Sequence, residues 1–156
     1  MSQDTQEEKK DTTLKLQDKD FDDVMNLVNT DAKEKTIILF YSPMCGHCVR
    51  MKPAYFDLAE AALKGKLGNN VTVASVNTMD NKDLMNRIHS PDMISEREYV
   101  IQGVPTIVSY YNGQYYSTYD AGKSEEEKKK FRTLEDLMEY VQGIGVAPIT
   151  YVNKGQ

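Results

Sequence analysis

The chain has 156 residues, enough to bury roughly 70% of its unfolded surface in a single domain, so its two cysteines are not needed as staples and a disulfide-built scaffold is excluded. A formal net charge of −5 argues against a nucleic-acid partner, which ordinarily leaves a basic footprint. No window has the apolar length of a membrane span.

Residues 1–12 are rich in Asp, Glu, Lys, Gln and Thr and read as a flexible polar tail. Residues 13–145 read as one α/β domain, and residues 146–156 as a C-terminal tail. The leader lacks the apolar stretch of a signal peptide, and the last residues lack an endoplasmic-reticulum retention tetrapeptide. A cytoplasmic or other non-secretory location is therefore the expectation.

A short strand is predicted over residues 13–16. Asp18 is the expected N-cap of an amphipathic helix that uses Phe21, Val24, Met25, Leu27 and Val28. Residues 36–41, Thr-Ile-Ile-Leu-Phe-Tyr, are β-branched and aromatic without polar alternation, which suits a central strand covered on both faces. From Gly46 onward Cys48, Met51, Tyr55, Leu58, Ala59 and Ala62 recur at helical spacing until Gly65 and Gly68, and Pro53 is expected to kink this helix. Residues 71–76 give a second inner strand, with a connection long enough for a parallel crossover.

Residues 80–88 look helical and His89-Ser90-Pro91-Asp92 ends them; residues 93–99 read as an insertion. A strand at 107–111, the turn pair Asn112-Gly113 and a strand at 114–119 make an antiparallel hairpin. Its tyrosines, Tyr110, Tyr111, Tyr115, Tyr116 and Tyr119, are expected to pack in the core and across strands. The last helix, 133–142, buries Leu134, Leu137, Met138 and Val141. It starts either at Thr133 or earlier, in the Glu/Lys run at 124–130, which otherwise reads as a solvated face.

The chemistry-bearing element is Cys45-Gly46-His47-Cys48, which holds both cysteines of the chain at a strand-to-helix turn. A helix N-terminus presents unpaired N–H groups and partial positive charge, so a thiolate at Cys45 is favoured over the thiol. That thiolate can attack a disulfide in another protein, and Cys48 can resolve the mixed disulfide. Structural zinc is the main chemical rival. It wants four ligands, and beyond the two thiols the sequence offers only His47 and His89.

These residues resemble the thioredoxin superfamily, and more closely the catalytic domain of protein disulfide isomerase. The resemblance rests on Phe40-Tyr41-Ser42-Pro43 before the tetrapeptide, Cys-Gly-His-Cys itself, Pro53 after it, and Gly103-Val104-Pro105-Thr106 downstream. It implies a thioredoxin fold, a central mixed sheet with helices on both faces. It implies Cys45 as exposed nucleophile, Cys48 as buried resolving thiol, Gly46 and His47 as the intervening active-site residues, and a cis Pro105 packed against the dithiol. Met44, Gly103 and Val104 would contact substrate, with the Val104 backbone pairing to an extended segment. His47 would act as a donor or partial cation beside the Cys45 sulfur, and Arg132 as a residue tuning the resolving thiol.

The implied activity is thiol-disulfide exchange of the protein disulfide isomerase type, without metal or cofactor beyond the Cys45–Cys48 disulfide. Its partners would be protein thiols and disulfides and an upstream thiol oxidase or reductase. A thioredoxin-like reductase and a non-catalytic peptide-binding or chaperone module are the alternatives. The missing signal favours the reductant and Cys-Gly-His-Cys the oxidant. A cytoplasmic oxidising pathway, as in large viruses that make their own disulfides, would reconcile the two.

Three residues depart from the family pattern. Met44 stands where a tryptophan is usual. Leu39 stands at the buried carboxylate position and Ser75 at that of its lysine partner, which predicts slow deprotonation of Cys48.

Overall fold

The computed structural model describes residues 10–90, 101, 103–119 and 132–146. Along these the chain forms strand β1 (Leu14–Lys15), a 3-10 turn (Asp18–Asp20), strand β2 (Lys35–Tyr41), helix α1 (Gly46–Leu63), strand β3 (Val71–Asn77), helix α2 (Lys82–Ile88), strands β4 (Thr106–Tyr111) and β5 (Gln114–Thr118), and helix α3 (Leu134–Gln142). The sheet runs β1-β3-β2-β4-β5, with β1, β3 and β2 parallel and β4 and β5 antiparallel to their neighbours. Strand β2 lies at the centre, as its unbroken apolar run requires, with residues 36–40 all buried.

Strand alternation divides the core in two. Ile37 and Leu39 of β2 join Val71 and Val73 of β3 beneath Met51, Tyr55 and Leu58 of α1 and Leu137 and Val141 of α3. On the opposite face Ile38 and Phe40 pack with Val76, with Leu84 and Ile88 of α2, and with Phe21 and Met25 from the segment after β1. This is the two-sided α/β sheet expected from the order of elements.

Helix α1 carries Pro53 in its interior and runs from Gly46 to Leu63. Tyr55, fully buried, pins it to the sheet: its hydroxyl donates to the Ala74 carbonyl at 2.6 Å, with the Ile37 carbonyl at 3.1 Å. Tyr55→Phe is expected to cost about 1–2 kcal/mol, the worth of a buried hydrogen bond whose acceptor is left without its donor. Urea unfolding should show a lower midpoint at unchanged slope; an unmoved midpoint would mean the bond contributes nothing net.

The expected helix after Asp18 does not form. Asp18, Asp20 and Asp22 use their side chains locally or on other elements, which offers the backbone an alternative to helix. Asp22 Oδ1 accepts the Val24 and Asn26 N–H groups, Met25 takes a left-handed φ of 65°, and Phe21 bridges to Leu27. Asp18 does cap a helix, but a distant one: its Oδ1 accepts the Leu84 N–H of α2 at 2.9 Å. Arg87 of α2 returns the contact by donating to the carbonyls of Asp18, Phe21 and Asp22. Val24 and Val28, assigned to the apolar face, are consequently about half exposed.

Asn112 and Gly113 adopt φ values of 53° and 85°, both positive as a tight two-residue hairpin turn requires. A Cβ on Gly113 would sit 3.1 Å from the Leu27 carbonyl oxygen. The hairpin tyrosines pack as expected, Tyr110 edge-on to Tyr115 and Tyr111 to Tyr116. Helix α3 begins after Thr133, whose Oγ1 accepts the Asp136 N–H. The insertion at 93–99 and the charge run at 124–130 lie outside the described residues. Asp11, assigned by composition to the leader, is tied into the fold through Thr13 and Lys15.

Candidate active site

The site begins where β2 runs out. The turn from β2 to α1 is drawn tight by the Cys45 N–H donating to the Ser42 carbonyl and the Met44 N–H donating to Ser42 Oγ, both at 3.1 Å. This delivers Cys45 to the N-cap of α1, where its Sγ accepts the Cys48 N–H at 3.2 Å. Cys45 is part-exposed and Cys48 fully buried, both as free thiols. A hydrogen bond from the Cys48 thiol holds Cys45 below the ordinary thiol range, against a desolvation cost. The N–H groups of Cys48 and His47 and the charge of Arg132 add to the lowering. Burial pushes Cys48 up to about 11, with the bond to Cys45 adding to it.

The antiparallel register of β4 against β2 places Thr106 opposite Phe40, so the residues just before Thr106 necessarily face those just after β2. There the Val104–Pro105 bond is cis, and the Cys45 thiol lies 3.5 Å from the Val104 carbonyl, its acceptor. Thr106 Oγ1 donates to the Gly103 carbonyl at 2.6 Å. Gly103 faces open space, and a Cβ on Gly46 would meet only the end of the Arg50 side chain. Met44, 81% exposed, and Val49, 54% exposed, are apolar side chains left open to solvent on either side of the dithiol in sequence.

The His47 ring is engaged along its own helix: Arg50, one turn on, approaches its Nδ1 at 2.6 Å. A guanidinium only donates, so Nδ1 accepts, and His47 reaches the sulfur through its backbone N–H. Arg132 takes a φ of 69°, and its charge lowers Cys45, the attacking thiol. The i, i+3 spacing of His47 and Arg50 is the sequence signal for this contact.

The β2–β3 register pairs Leu39 with Ser75 side by side, both nearly inaccessible. No charge occupies the pair. The Ser75 hydroxyl instead bonds Thr13 Oγ1 at 2.8 Å, and Thr13 Oγ1 donates to Asp11 at 2.6 Å. Among the described residues no cluster of three or more His, Cys, Asp or Glu could hold a metal ion. His89, the remaining zinc candidate, bonds the Ile101 carbonyl at 2.7 Å. No helix among those residues is long and apolar enough to cross a membrane.

A mixed sheet with helices on both faces, a part-exposed thiol capping the first long helix and a buried partner one turn in define a thioredoxin-fold dithiol domain. Residues 12–134 match the thioredoxin family model, and the chain belongs to that family. It is 28% identical over 145 residues to a protein disulfide-isomerase of Saccharomyces cerevisiae, covering 92% of this chain and 23% of that protein. It is 30% identical over 128 residues to a thioredoxin domain-containing protein of Theileria parva, covering 82% of this chain and 47% of that protein. The chain thus spans less than half the length of these relatives. Among solved structures, human ERp44 form I matches with a TM-score of 0.60 at 16% identity, over 89% of this chain and 31% of that one, a likeness of fold.

Proposed function

We propose that the chain is a thiol-disulfide oxidoreductase of the protein disulfide isomerase type, exchanging disulfides with protein substrates through Cys45 and Cys48. The observation that carries this reading is the asymmetry of the two thiols: one lowered and part-exposed at a helix N-cap, the other buried and raised. Cys45 attacks a partner's disulfide, the partner's first sulfur leaves, and Cys48 then closes the Cys45–Cys48 bond, releasing the second. Met44 and Val49 would take apolar residues flanking the partner's cysteine, and the Val104 backbone an extended strand. Lowering of the Cys45 thiol stabilises the reduced pair, which inclines the protein toward donating disulfides. Its reduction potential against glutathione decides between this and a thioredoxin-like reductant.

Iodoacetamide labelling across a pH series tests the asymmetry. Cys45 holds its thiolate as pH falls below the ordinary thiol range and loses it only on passing the lowered value. Cys48 gains its thiolate only as pH rises toward about 11. Cys45 alone should label at neutral pH. Equal labelling of both sulfurs, or none until pH approaches 9, removes the basis of the proposal.

A further inference from the structure

We propose that Lys52 is the cation that drives the resolving step, stabilising the Cys48 thiolate as it displaces a bound thiol from Cys45; this rests on the exchange chemistry proposed above. Lys52 follows Cys48 by four residues on α1, the spacing that sets two side chains over one another on one helix face. Its ammonium does not hang free in solvent. It is held over the Tyr41 ring, 4.7 Å from the centroid, and Tyr41 closes β2 immediately before the turn that carries Cys45. The strand end and the first two turns of α1 therefore hold in place a positive charge whose field favours the Cys48 thiolate.

The step it serves begins with the Cys48 thiol giving its proton to solvent water. The Cys48 sulfur attacks Cys45 Sγ, the bond from Cys45 to the bound thiol breaks, and the departing sulfur takes the electron pair and then a proton. The oxidising equivalent is the disulfide the partner brought, and nothing else is consumed. At that moment Cys45 is tied up, so its hydrogen bond and its negative charge no longer hold Cys48 up. What opposes burial is the Ser42 backbone and the charge of Lys52.

Other charged or titratable groups lie along these elements; on α1 the fully buried Tyr55 hydroxyl is taken by the Ala74 and Ile37 carbonyls. On α1, His47 and Arg50 bond one another. From β2 comes Tyr41 itself, which the charges of Asp11 and Asp80 reach from beyond the strand ends. Arg132, just before α3, reaches Cys45. On the sheet beneath, Leu39 and Ser75 bring no charge.

The test loads Cys45 of the intact chain with thionitrobenzoate from Ellman's reagent and follows its release by Cys48 across a pH series. K52M and K52Q should release it about threefold to tenfold more slowly at neutral pH, with the rise in rate displaced to higher pH by half to one unit. K52R should restore most of the rate, and added salt should narrow the gap between wild type and K52M. Cys45 alkylation should be unchanged. Wild-type release from K52M and K52Q over the whole series would overturn the proposal, as would K52R behaving like K52M, which would show that fit and not charge matters. Because the reagent loads Cys45 chemically, the result stands apart from substrate exchange. Failure of the intact chain to exchange with a disulfide-bonded protein would sink the proposed function and leave these release rates interpretable.

Discussion

Cys45→Ser is expected to abolish disulfide exchange, while Cys48→Ser should keep the first attack and accumulate a one-to-one mixed disulfide with substrate. The difference follows from the separate placement of the two sulfurs. Cys45 holds the N-cap, with the Cys48 N–H at 3.2 Å and the surface open in front of it. A serine there stays protonated at neutral pH and has no base positioned to activate it. Cys48 contributes to the attack only by a hydrogen bond that lowers Cys45. Its replacement by serine retains a donor at that point, so attack should slow modestly while resolution is lost. Non-reducing electrophoresis with a disulfide-bonded protein substrate reads both outcomes. Exchange surviving in Cys45→Ser would overturn the assignment of the nucleophile, and absence of any adduct in Cys48→Ser would show that Cys45 does not attack foreign disulfides.

How much of this could be read from the chain depended on whether a residue's partners were near in sequence. The central strand was legible because residues 36–41 offer no polar side to water, and the sheet covers both their faces. The Asn112-Gly113 turn was legible because its dihedrals are set within two residues. The helix after Asp18 was misread because the sequence shows a capping residue without showing what it caps; the carboxylate closes α2, 66 residues away. His47 was placed beside the sulfur by resemblance, whereas its ring is claimed by Arg50 one turn along. The Ser75–Thr13–Asp11 contacts depend on β1 joining the sheet edge, which no local pattern announces.

Installing a charged pair at positions 39 and 75 should accelerate the resolving step, and the buried surroundings dictate that both residues change together. Cys48 sits near a pKa of about 11 in the dithiol state, so at pH 7 its thiolate is on the order of one molecule in 10⁴. Leu39 is 1% exposed and Ser75 4%, opposite one another on the face that α1 covers. A carboxylate at 39 can accept the Cys48 proton directly or through a water, a general-base contribution commonly of about 10²–10⁴-fold. Alone, Leu39→Glu puts an uncompensated acid into an apolar layer and should lower stability by about 3–5 kcal/mol. It should also be held neutral there, and a neutral acid is no base. Leu39→Glu with Ser75→Lys supplies the countercharge across the strand pair, and should recover much of the urea midpoint while raising thionitrobenzoate release at neutral pH by at least about tenfold. In that background K52M should matter less, since proton removal no longer depends on Lys52 alone. A folded double variant that releases at the wild-type rate would show that loss of the Cys48 proton is not what limits resolution in this chain.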